Sequence, residues 1–167
     1  MFVELVGPTI NSTTYVQNDL VAKDASFTLP APTPKTAEMM AMGTWNIPIW
    51  QMLDEMEDTV TKMGIDKYLA KMVQPEPLDI EHRWVQLGID ENGNTRNVGC
   101  KAFLHVIPKG IPGGEITVGE TTECAVSYTE TRYRLIVDGE ELLSIDRLTG
   151  LLKVNGKDYT QDINSML

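Results

Sequence analysis

The stretch YRLIVDGEELLSIDRLTGLLKVNGKDY, residues 133–159, constrains the fold more tightly than any other part of the chain. Three turn signals, Asp138-Gly139, Leu148-Thr149-Gly150 and Asn155-Gly156, separate short runs of strand-forming residues, the pattern of an antiparallel meander over 131–159. The faces that each loop length creates test the first turn. A two-residue loop pairs Leu135 with Leu142 and Tyr133 with Ser144, which mixes apolar and polar side chains. A three-residue loop, Val137-Asp138-Gly139 with the glycine left-handed in a bulge, pairs Tyr133 with Leu143. It gathers Tyr133, Leu135, Leu143 and Ile145 on one face. A one-residue slip turns every side chain over, so the coherent face predicts the bulged hairpin.

The chain upstream reads as β from residue 81. HRWVQLGID, ENGN and NVGCKAFLHVI predict a hairpin around Asn92-Gly93. In its second arm Val98, Cys100, Ala102, Leu104 and Val106 share one face, while Lys101, Phe103 and His105 share the other. PKGIPGGE is a loop, and ITVGETTECAVSYTETRYRLIV is one long strand or two in succession. Val21, Ala25, Phe27 and Leu29 predict a strand that ends at Pro30. Residues 1–19 are short and poorly patterned.

Between these β regions lie two less regular segments. Residues 30–50 carry prolines at 30, 32, 34 and 48, each without an N–H and each restricting its predecessor, so an extended loop is predicted. Loops longer than about 12–15 residues tend to be functional or disordered. This one holds Met39, Met40, Met42, Trp45 and Trp50, a composition suited to docking rather than to a solvated linker. Residues 49–63 fit a helical stripe (Ile49, Leu53, Met56, Val60, Met63) but also alternate through EDTVTKMG, and periodicity alone leaves both open. DKYLAKMVQ, residues 66–74, reads as a short helix opened by Asp66 and ended by Pro75.

Composition narrows function. With 167 residues the chain has room for a single domain spanning 1–167 with a substantial core. A net charge of −10 argues against gripping nucleic acid, because phosphate affinity comes from Lys and Arg. No apolar run approaches the ~18 residues of a membrane span, so no membrane insertion is expected. MFVELVGPTI lacks the basic start and long apolar run of a signal peptide. Cys100 and Cys124 read as buried thiols in a reducing compartment.

No catalytic, cofactor or metal constellation emerges. His82, His105, Cys100 and Cys124 show no close pair at zinc-ligand spacing. The acid pairs Glu140-Glu141 and Asp54-Glu55 sit in turn contexts, where adjacent acids are ordinarily solvated. GIPGGE lacks the Lys-Ser/Thr ending and the helix of a phosphate loop. The expectation is a chain that is not an enzyme and needs no cofactor.

The order of these blocks resembles the major tail tube proteins of contractile-tailed bacteriophages. The C-terminal signature is carried by Tyr133, Asp138, Gly139, Glu141, Leu142, Ile145, Asp146, Val154, Asn155, Gly156 and Asp158. FTLPAPTPK (27–35), LDEMEDTVTKMGID (53–66) and GGEITVGETTECAVSYTETRYRL (113–135) resemble further family blocks in the same order, over roughly residues 20–160. The N-terminus and the closing YTQDINSML depart from the pattern.

The resemblance implies a mainly β fold, a sandwich or open barrel of antiparallel strands with one short flanking helix, and makes 55–63 a strand. It implies hexameric rings stacked into a hollow tube inside a contractile sheath, located in the virion tail. The implied partners are the chain itself, the sheath protein, and baseplate or initiator and terminator proteins, with DNA passing through the lumen unbound. Strands around 81–107 and 115–137 are then candidates for edges that join neighbouring sheets. Phe27, Leu29, Pro30, Met39, Met40, Met42, Trp45 and Trp50 are candidate inter-subunit contacts. Glu115, Glu120, Glu123 and Glu130 are candidate lumen residues, whose charge would repel phosphate. Tubes of phage-tail-like bacteriocins and secretion systems share this construction. A reading of a different class, a monomeric β-sandwich binding module, requires one concave pocket with convergent polar groups.

Overall fold

The computed structural model describes residues 4–167. The strands are β1 (Leu5–Val16), β2 (Asp19–Lys23), β3 (Ser26–Thr28), β4 (Pro34–Met40), β5 (Thr44–Leu53) and β6 (Glu57–Met63). After the single-turn helix α1 (Leu69–Met72) come β7 (Leu78–Ile89), β8 (Thr95–Pro108), β9 (Glu123–Val137), β10 (Glu140–Asp146), β11 (Leu151–Val154) and β12 (Lys157–Asp158), then α2 (Gln161–Asn164). The fold is mainly β and antiparallel, as expected, with a second short helix that the sequence did not announce.

The main sheet runs β12-β11-β10-β9-β8-β7-β1-β2. Its pairings also close on themselves. β9 pairs with β6 through its first half, β6 pairs with β3, and β3 continues β2 across a kink at Asp24, whose backbone is left-handed (φ 52°). The Asp24 N–H donates to the Ser12 carbonyl (2.8 Å), which ties the kink to β1. The strands β1, β2/β3, β6, β9, β8 and β7 therefore enclose a small barrel-like core, and β10–β12 extend from its wall. Inside lie Val16, Val21, Val60, Leu78, Ile80, Leu104, Val106, Val126 and Tyr128. Met72 of α1 fills one end, and the Tyr128 hydroxyl donates to its carbonyl (2.8 Å). A second small cluster, Met56, Ile145 and Leu152, sits under the meander.

The hairpin β7–β8 has the predicted faces: Val98, Cys100, Ala102, Leu104 and Val106 are all buried. Cys100 and Cys124 are buried free thiols. β6 is the strand that the family resemblance implied for 55–63.

The meander corrects the predicted register. Asp138 and Gly139 alone form the turn, both left-handed (φ 52° and 81°), as a tight hairpin that matches strand twist requires. The extra residue is Leu142, bulged within β10 and partly exposed, so Leu143 pairs with Leu135 and Ile145 with Tyr133. The predicted face of Tyr133, Leu135, Leu143 and Ile145 survives, because a bulge anywhere between turn and face restores the same parity.

The N-terminal reading is also corrected. β1 is a long strand, joined to β2 by a two-residue turn in which Gln17 and Asn18 are both left-handed. Its alternation is hidden because its inward positions include a buried threonine, Thr14. The segment 30–50 is not an irregular loop. β4 and β5 form a separate antiparallel hairpin that tolerates Pro34 at its first position and Pro48 opposite Thr36.

Candidate inter-subunit surfaces and a buried polar belt

The β4–β5 hairpin is amphipathic by register. The directly paired Met39–Trp45, Ala37–Ile47 and Lys35–Ile49 alternate with Met40–Thr44, Glu38–Asn46 and Thr36–Pro48. Side chains alternate across a strand, so one face carries Met39, Trp45, Ile47 and Ile49, and the other is mostly polar. Met39, Met40, Met42, Trp45, Trp50 and Met52 are all exposed, Met42 completely. Trp50 and Met52 fall where the register jumps between Lys35–Ile49 and Pro34–Leu53. The hairpin base is tied down by hydrogen bonds to main-chain carbonyls. The Asp54 N–H donates to the Thr33 carbonyl (2.9 Å), and the Arg147 guanidinium donates to the carbonyls of Leu53 (2.9 Å) and Asp54 (3.1 Å).

Three of the expected contact residues lie elsewhere. Phe27 and Leu29 pack against the barrel core, and Pro30 is buried. Phe27 stacks on the His82 ring at 4.2 Å between centroids and 6° between planes. These residues anchor the strand that precedes the hairpin.

The expected edges are also displaced. β7, β8 and β9 have partners on both sides and form the middle of the sheet. The first half of β1 is a long open edge. Its residues 5–11 pair with β7 alone, β2 begins pairing only at Thr13, and Leu5, Val6 and Ile10 are exposed. A long edge with apolar side chains is a template for another strand.

Of the four acidic candidates, Glu115 and Glu120 are exposed on the loop 109–122, and Glu123 is exposed at the start of β9. That loop also exposes Ile111, Ile116 and Val118. It rejoins the sheet at Glu123, paired with Met63, whereas the hairpin enters at the opposite end of β6, near Glu57.

Glu130 is the exception. It is 2% exposed, and a buried carboxyl cannot line a lumen. In β9 the even positions Cys124, Val126, Tyr128 and Glu130 face inward. An extra residue, Thr131, then reverses the parity, so Tyr133 faces inward after it. The apolar residues at 124, 126 and 128 are the signal that would have placed Glu130 inside.

Around Glu130 runs a polar belt that sequence reasoning missed. Thr14 Oγ1 lies 2.9 Å from His82 Nδ1, and His82 Nε2 lies 2.8 Å from Asp58 Oδ2, with all three side chains fully buried. The order hydroxyl–imidazole–carboxylate matches a nucleophilic triad, but no face of it meets solvent or a cleft, so no substrate reaches the hydroxyl. Among the described residues no group of acids, histidines and cysteines could hold a metal ion.

The family description for phage tail tube protein FII matches residues 10–167. The chain belongs to that family. The tail tube protein of Escherichia phage P2 is 39% identical over 69 residues, a match spanning 41% of this chain and 39% of that protein's length. The fold is similar to that of a chain in the sheath-tube complex of the PVC extracellular contractile injection system in its extended state. The TM-score is 0.50 at 12% identity, over 75% of this chain and 87% of that one. A chain of the sheath/tube terminator assembly of the same kind of system is similar at TM-score 0.55 and 14% identity, over 80% of this chain and 99% of that one. Tail tube proteins are structural rather than catalytic, which agrees with a triad-like contact sealed inside the barrel.

Proposed function

We propose that this chain is the building subunit of a contractile phage tail tube, in which six copies close into a ring and rings stack into a hollow conduit for DNA. The observation that carries the reading is the pairing, in a tail tube family member, of an exposed amphipathic hairpin with an open, apolar β1 edge. Strand addition at β1 extends one subunit's sheet into the next around the ring. The hairpin at one end of β6 and the apolar loop 109–122 at the other suit a head-to-tail contact, which does not close and so builds a filament. Met39, Met40, Met42, Trp45 and Trp50 are the stacking anchors in this reading. Glu115, Glu120 and Glu123 are exposed, and a lumen bearing them repels DNA rather than binding it. The sheath, an initiator at the baseplate and a terminator are the further partners, with the virion tail as location. The likeness to chains of an extracellular injection system supports a second reading, in which the same tube serves a machine that carries no DNA.

Electron microscopy of the purified chain tests assembly, with rings or tubes expected at high concentration. Deleting residues 31–49 should leave a folded domain that no longer stacks. If the deletion abolishes folding, or if the intact chain stays monomeric in the presence of a tail initiator, the reading fails.

A further inference from the structure

The interior of the barrel holds two carboxyl groups on one wall. Asp58 pairs with Tyr128 across β6 and β9, and Glu130 lies two residues further along the same inward face. Both are sealed from solvent. Asp58 Oδ1 and both oxygens of Glu130 have no hydrogen-bond partner among the described protein groups. An unpartnered buried carboxylate is one of the costliest groups a fold can contain.

The groups around this pair are few. From β7 comes His82, which is engaged with Asp58 Oδ2. From β1 comes Thr14, engaged with His82, and from β3 the Phe27 ring that covers His82. β8 contributes apolar Val106, paired with Glu130, and Ala102, paired with His82. β9 itself contributes Tyr128, whose hydroxyl is given to Met72, and Tyr133. The buried cation of β6, Lys62, gives its ammonium to the Val21 carbonyl and to Asp66 (2.9 Å). The imidazole is therefore committed to Asp58, and Glu130 is left without a partner among the described residues.

We propose that Glu130, buried beside the Asp58 carboxyl, holds a proton in the folded subunit, and that release of this proton loosens the seam between β6 and β9 at the base of the β4–β5 hairpin. The location gives Glu130 its leverage. The Glu130 N–H donates to the carbonyl of Met56 (3.1 Å), three residues beyond the end of β5, and Asp58 follows two residues later. Solvating a charge on Glu130 requires this corner to open, and the corner fixes where the hairpin leaves the barrel. The inference concerns the subunit itself and stands whether or not the chain builds a phage tube.

Burial first, and the neighbouring Asp58 second, push the Glu130 carboxyl up to about 9 from an ordinary 4.5. The folded-state value is raised, so the folded chain keeps a proton that the unfolded chain loses between these limits. Below about pH 4.5 the group costs the fold nothing. As pH rises from there towards 9 the folding constant should fall about tenfold per unit through this group, and above 9 the effect levels off.

Two measurements test this. The intact chain, refolded at pH 7.5 in weakly buffered indicator solution, should take up about one proton per molecule. Hydrogen exchange at amides 54–60, corrected for the intrinsic rate, should accelerate between pH 7 and 9 and then level off, before global unfolding. Glu130→Gln keeps the shape without the titration and should remove both the proton uptake and the alkaline acceleration. Refolding without proton uptake overturns the proposal, as does an unchanged pH slope in a folded Glu130→Gln variant. If that variant does not fold, proton uptake by the unaltered chain decides alone.

Discussion

His82 Nε2 and Asp58 Oδ2 are 2.8 Å apart, although β7 and β6 are nowhere neighbours in the sheet. The contact crosses the barrel interior and joins opposite walls, with Thr14 holding the other ring nitrogen and Phe27 covering the ring face. Four strands thus meet on one imidazole, which makes the position a keystone for closure rather than a place for chemistry.

Replacing His82 with alanine should be severe for this reason. The change leaves Asp58 buried without its partner, and breaking a buried pair in that way costs about 3–5 kcal/mol. Urea unfolding should show a lower midpoint with an unchanged slope. A loss below about 1 kcal/mol would mean that water reaches the carboxyl.

The hairpin surface should behave in the opposite way. Met39→Ser with Trp45→Ser changes two paired, exposed side chains on the apolar face. Subunit stability should move by less than about 1 kcal/mol, because neither residue is in the core. Sedimentation and electron microscopy should nevertheless show loss of stacked assemblies. Normal tubes from this double variant would remove the hairpin's apolar face from the stacking contact.

Arg147 links the meander to the hairpin base through the carbonyls of Leu53 and Asp54. Arg147→Ala should leave the barrel intact and speed hydrogen exchange in β4 and β5 several-fold, since a local unit loses its tether without losing core. Equal acceleration throughout the sheet would instead show that hairpin and barrel open together.

Several elements were legible from local chemistry. The alternation from Val98 to Val106 names the inward face of β8, because a strand's period of two needs no knowledge of its partners. Asp138-Gly139 and Asn155-Gly156 name turns, because left-handed backbone suits Gly and Asn. The apolar residues of 39–50 announced an unusual surface, although their prolines disguised the hairpin. A proline is harmless to a ladder where its nitrogen faces no partner, and that depends on the register.

What the sequence determined by itself, then, is a β chain with a meander at its end, an apolar protruding segment and an ordering of blocks that resembles a tail tube. Tertiary structure alone decided where these pieces sit. Periodicity states that Glu130 shares a face with Cys124, Val126 and Tyr128, but only the strands β6 and β8 on either side of β9 seal that face from water. Thr14, His82 and Asp58 are separated by 68 and 24 residues along the chain, and only barrel closure brings their atoms within hydrogen-bond reach. Face is a local property of a strand, whereas inside and outside are properties of the partners it finds.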